Sequence, residues 1–68
     1  MKGIVTFSFN ATEKEMEEVR KTLGNRRATF IKEGLVHHVG GCKAKHFGRV
    51  LNVLNDNNIN VYNVKYEK

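Results

Sequence analysis

Proline and tryptophan are absent from this 68-residue chain, and cysteine occurs once, at position 42. Without proline or Gly/Ser-rich stretches, nothing marks a linker, a boundary or an internal repeat, so a single domain over residues 1–68 is expected. A lone cysteine excludes an internal disulfide, the staple on which small exported domains depend, and the expectation is a reducing, cytoplasmic setting. No apolar run approaches the roughly 18 residues needed to cross a bilayer. The opening Met1-Lys2-Gly3-Ile4-Val5-Thr6-Phe7 lacks the apolar core of an export signal, so neither membrane insertion nor export is expected. Acids are scarce as well. Seven Asp and Glu stand against twelve Lys and Arg, a net charge of +5 that favours contact with nucleic acid, anionic lipid or an acidic protein surface. At this length only about 60% of the unfolded chain's surface can be buried, so stability has to be modest.

What is present is a clear alternation of patterns. In residues 4–10, Val5, Phe7 and Phe9 share one face and Thr6 and Ser8 the other, the period of a half-buried strand. Thr12-Glu13-Lys14-Glu15 reads as a capping box, with Met16, Val19 and Leu23 following at helical spacing before Gly24. Ala28 to Lys32 and Leu35 to Val39 fit two short strands joined by a tight turn in which Gly34 supplies positive φ. Gly40-Gly41 interrupts the second of these. Ala44, Phe47, Val50, Leu51 and Leu54 then mark one face of a helix from about Lys43 to Asn55, which the Asn55-Asp56-Asn57-Asn58 turn ends. Ile59 to Tyr66 is β-branched and aromatic, a last strand with Tyr62, Val64 and Tyr66 on one side.

The order βαββαβ folds most economically into an α+β sandwich, a four-stranded antiparallel sheet with two helices on one face. Right-handed crossovers favour the strand order 4-1-3-2. The architecture resembles the ferredoxin-like arrangement, a fold that carries many unrelated functions. Within it, one end of the sheet collects Lys2, Arg20, Lys21, Arg26, Arg27, Lys43, Lys45, Lys65 and Lys68, with Glu67 as the acid beside them. The other end carries Glu13, Glu15, Glu33 and Asp56 with Lys14 and Lys32. Such an electrostatic dipole is most easily tolerated when an anionic partner offsets the repulsion.

The two helix starts differ. Helix 1 begins with acids and ends with Arg20 and Lys21, as the helix dipole favours; helix 2 begins with Lys43, Lys45 and His46 behind Gly40-Gly41. An anion held by the Gly40 and Gly41 backbone and the flanking lysines would relieve that conflict, with Arg49 a turn and a half further on. Gly-Gly is also common in loops that need only conformational freedom, and no Walker pattern is present.

His38, Cys42 and His46 recur every four residues, a spacing that raises zinc or copper, but a fourth ligand is lacking and lysines surround the site, so no metal or other cofactor is expected. Cys42 at a helix start beside two lysines has the setting of a reactive thiolate; no acid stands nearby to orient a histidine, and a small packing residue is the simpler reading. His37 and His38 fall on opposite faces of their strand. Ferredoxin-like RNA-binding domains stack bases on sheet aromatics, but Leu35-Val36-His37-His38-Val39 lacks their Gly-Phe-Gly-Phe style motif. Apolar area on the open face can equally serve a homodimer.

The reading with most support is a non-enzymatic nucleic-acid-binding domain, for DNA or RNA, that grips phosphates with Arg26, Arg27, Lys43, Lys45, Arg49 and the Gly40-Gly41 backbone. The alternative is a small regulatory protein docking on an acidic surface of a partner protein.

Overall fold

The computed structural model describes residues 3–24 and 27–67. Six elements follow in the expected order: β1 (Ile4–Asn10), α1 (Glu13–Leu23), β2 (Ala28–Lys32), β3 (His37–Lys43), α2 (Ala44–Asp56) and β4 (Val61–Glu67). The strands pair antiparallel in the order β2-β3-β1-β4, which read from the β4 edge is the expected 4-1-3-2. The fold is α+β and ferredoxin-like, with both helices over one face of the sheet.

The core forms where the β1 alternation predicts it. Val5, Phe7 and Phe9 are buried beneath Met16, Val19 and Leu23 of α1 and Val50, Val53 and Leu54 of α2. Phe7 meets Phe47 with ring centroids 5.5 Å apart, and Phe9 meets Phe30 edge-on at 5.7 Å. Such pairs add about 0.5–1.5 kcal/mol beyond the area they bury. His38 joins this face of the sheet, its ring parallel to Phe9 at 5.3 Å and its Nδ1 hydrogen-bonded to the Val36 carbonyl at 3.0 Å.

Local chemistry sets the helix ends. The capping box is complete: the Thr12 amide donates to Glu15 Oε1 at 2.8 Å, and the Glu15 amide donates to Thr12 Oγ1 at 3.2 Å. Gly24 closes α1 with φ 75°, its amide donating to the Arg20 carbonyl at 2.8 Å. At the end of α2 the Ile59 amide donates to the Leu54 carbonyl at 2.9 Å and the Asn58 amide to the Asn55 carbonyl at 3.0 Å, with Asn58 at φ 63°. This is a Schellman motif with asparagine in the left-handed position, and its apolar partners, Leu54 and Ile59, are both buried.

Three features differ from the sequence reading. Gly40 and Gly41 do not interrupt β3; they sit inside it, opposite Phe7 and Thr6 of β1 and opposite Phe30 and Thr29 of β2. Glycine is there for close approach, since a Cβ on Gly40 would fall 2.5 Å from the Phe7 ring and 3.1 Å from the Phe30 ring. The β2–β3 connection is a wider loop over residues 33–36 in which Gly34 does not take positive φ, because the Glu33 amide donates to the His37 carbonyl at 2.8 Å and closes a larger ring. Finally, Tyr62 and Tyr66 do not share a face. The β1–β4 register shifts between Thr6 and Ser8, with Asn63 at φ 52°, so Tyr62 lies opposite Ser8 and Tyr66 opposite Val5. A bulge adds one residue and inverts the alternation beyond it.

Candidate functional site

Where β2 begins and β3 ends, the hairpin register sets Ala28 opposite Cys42, which brings Arg27 beside Lys43 although sixteen positions of sequence separate them. A cleft of about 390 Å³ opens there, lined by Ile4, Arg27, Ala28, Thr29, Gly41, Cys42, Lys43 and His46. Its size is at the small end of ligand clefts, which run from about 300 to 1,000 Å³. No carboxylate lines it, and among the described residues neither Arg27 nor Lys43 has an acid within ion-pairing distance.

The expected site residues are thus only partly gathered. Arg27, Gly41 and Lys43 meet in the cleft; Lys45 and Arg49 are exposed on α2 outside its lining; Arg26 lies outside the described residues. Gly40 is buried under the Phe7 and Phe30 rings and cannot meet a ligand. The expected cradle of Gly40 and Gly41 amides ahead of α2 is not the local structure, because both glycines lie in a central strand paired on either side. The helix start is also partly occupied. The Ala44 amide donates to the Gly3 carbonyl at 2.8 Å, and Lys43, the N-cap, supplies no side-chain cap.

The charge map needs two corrections. Glu18 reaches Lys21 at 3.9 Å, an acid at the basic end that its mid-helix position conceals in the sequence. Arg20 faces a different hollow, lined by Glu13, Met16, Glu17, Lys32 and His38, and so stands among acids. At the opposite end two pairs form: Lys32 meets Glu13 at 2.9 Å and His37 meets Glu33 at 3.4 Å. The hydrogen bond from Lys32, helped by its charge, holds the Glu13 carboxyl below the usual carboxylate value. Among the described residues the cleft thus brings together two cations, Arg27 and Lys43, that have no ion-pair partner, with Lys45 and Arg49 exposed on the adjoining helix.

No family model matches the chain, and no curated protein matches it in sequence. Local chemistry alone carries the reading.

Cys42 is the last inward-facing residue of β3, not a helix-start residue, and burial pushes its thiol above the ordinary value. The setting disfavours the thiolate, contrary to the reactive reading. Cys42 and His46 line one cleft, but His38 is four residues back along β3, stacked in the core, so the three do not converge. Among the described residues no three His, Cys, Asp or Glu side chains are grouped as metal ligands, and no helix is long and apolar enough to cross a membrane.

The sequence reading missed His46, Thr29 and Ile4 as cleft residues. The signal was available in principle: once β3 extends to Lys43, its pairing with β2 and β1 sets Thr29 and Ile4 beside it.

Proposed function

We propose that this protein is a non-enzymatic nucleic-acid-binding domain that holds phosphates at the basic end of its sheet. The observation that carries the reading is the meeting of Arg27 and Lys43 in a cleft without a carboxylate. Arg27 offers a planar fork that can hold a phosphate through two parallel hydrogen bonds, and Lys43 adds a compact point charge. Lys45 and Arg49, exposed on the first turns of α2, extend the positive surface along a backbone that passes the cleft. The Gly40 and Gly41 amides, inside a strand paired on both sides, take no part in holding the phosphate.

Phosphate contacts position a nucleic acid without reading its sequence and make binding fall steeply with salt. The test is a titration of wild type and the Arg27→Ala, Lys43→Glu double variant against duplex and single-stranded nucleic acid at several salt concentrations. The variant should bind more weakly across all sequences. Its log-log salt slope should be shallower by about 0.7 per lost contact on single strands or about 0.9 on duplex. Equal affinity and slope in both proteins, or no binding by wild type at low salt, would remove the reading in favour of docking on an acidic protein surface.

A further inference from the structure

The cleft is not closed off at the end of the sheet. Ile4, Thr29, Gly41 and Lys43, four of the residues that line it, stand on the face of the sheet that the helices leave open. Residues opposite one another in an antiparallel pair share a face, so Thr6, Gly41 and Thr29 form one row across β1, β3 and β2. Gly41 leaves a gap in that row: a Cβ there would meet nothing closer than the Val5 carbonyl oxygen at 3.9 Å. Along β1 the floor beyond it carries small hydroxyl side chains, Thr6 and Ser8, with Lys65 opposite Thr6 on β4, while Val39 opposite Ser8 and Ile31 opposite Val39 make the β3 and β2 side of it apolar.

At the far end of this floor stands Tyr62, opposite Ser8 and 39% exposed. Its hydroxyl donates to Asn10 Oδ1 at 3.4 Å and shares a hydrogen bond with His37 Nδ1 at 3.0 Å. The His37 ring lies beside it at 6.2 Å. An aromatic ring held in place by its polar tip and partly exposed on the open side of the sheet offers a stacking platform. Tyr62 and Lys43 flank β1 on β4 and β3 and are four of its positions apart, roughly 13 Å along the strands and about 10 Å across them, or about 16 Å in all.

Building on the nucleic-acid reading above, we propose that single-stranded RNA crosses this open face, with a phosphate held by Arg27 and Lys43 and a base stacked on Tyr62. Stacking requires an unpaired base, which excludes a duplex from the Tyr62 end. The hydroxyls of Thr6, Ser8 and Thr29 lie beneath the ribose path, where they can both donate to and accept from the 2′-hydroxyl that distinguishes RNA from DNA. Lys65 adds positive charge midway along the path.

Fluorescence anisotropy with a short single-stranded RNA, the matching single-stranded DNA and an RNA duplex tests the proposal on the full chain. Tyr62→Ala should weaken single-stranded RNA binding by roughly tenfold or more while leaving the salt slope and duplex binding unchanged. Tyr62→Phe, which keeps the ring, should restore most of the loss. Gly41→Val fills the gap in the floor without touching Tyr62 and should weaken single-stranded RNA binding while the circular dichroism spectrum and thermal midpoint stay close to wild type. If the Arg27 and Lys43 variant loses binding but Tyr62→Ala and Gly41→Val do not, the phosphate reading stands and the path across the face falls. If the Arg27 and Lys43 variant binds normally, both fall. Single-stranded DNA bound as tightly as RNA overturns the RNA assignment, and a dimer in sedimentation that buries Tyr62 overturns the open path.

Discussion

Two adjacent glycines with opposite surroundings give the sharpest contrast between residues in this molecule. Gly40 faces inward against the Phe7 and Phe30 rings, and Gly41 faces outward over open space. Gly40→Ala forces a methyl group into packed rings, and overpacking of this kind costs about 1–3 kcal/mol. Gly41→Ala meets no such obstacle and gives a strand a side chain in place of glycine's backbone freedom. Chemical denaturation of the two variants should therefore show a clearly lowered midpoint for the first and a midpoint at or above wild type for the second. Equal losses would mean that the two positions are not on opposite faces of β3. The same contrast explains why the glycine pair reads as a break in the sequence: glycine gives no sign of which rings approach it, and a close approach and a loop share the same two letters.

The elements differ in how well their own residues end them. At α1, Thr12 caps and Glu15 returns the bond, and the sequence shows this because the motif is local. At α2 the N-cap is Lys43, which makes no capping hydrogen bond, and the first turn carries no acid. A serine at an N-cap is worth about 0.5–2 kcal/mol over a residue that cannot cap. Lys43→Ser should accordingly raise the thermal midpoint while weakening nucleic-acid binding, two readouts of opposite sign from one substitution. A variant that gains stability and binds as before would separate Lys43 from the site. β1, β2 and both helices were legible because their signals are periodic or lie within one turn. The β4 bulge was not, since Asn63 in a strand reads as an ordinary outward polar residue and only the pairing with β1 reveals the extra position. For the candidate site, the residue types were legible and their grouping was not: Arg27 with Lys43 depends on a register that one misplaced strand end conceals.

Over the whole molecule the charge is uneven in a way that net charge does not convey. At one end Glu13 pairs with Lys32 and Glu33 with His37, whereas among the described residues Arg27 and Lys43 in the cleft have no acid within ion-pairing distance. Such a domain is held back by its own repulsion, and a ligand that binds only the folded state stabilises it by mass action, about 2.7 kcal/mol at a hundredfold excess over Kd. Thermal unfolding in the presence of single-stranded RNA should show a midpoint that climbs with RNA concentration, and the climb should vanish in the Arg27→Ala, Lys43→Glu variant. A midpoint indifferent to RNA at low salt would count against any role for the cleft in binding it.

The extra residue at Asn63 has a consequence for how copies of the chain meet. A sheet of four strands leaves two rims, β2 and β4, where unsatisfied amides and carbonyls can template another strand and start aggregation. The bulge twists the β4 rim out of the flat geometry such templating needs, and β2 offers only five residues, ending in Lys32. The same irregularity that sends Tyr62 and Tyr66 to opposite faces thus acts as a guard on the longer rim, letting a small, weakly buried domain keep a naked sheet face without growing into fibres.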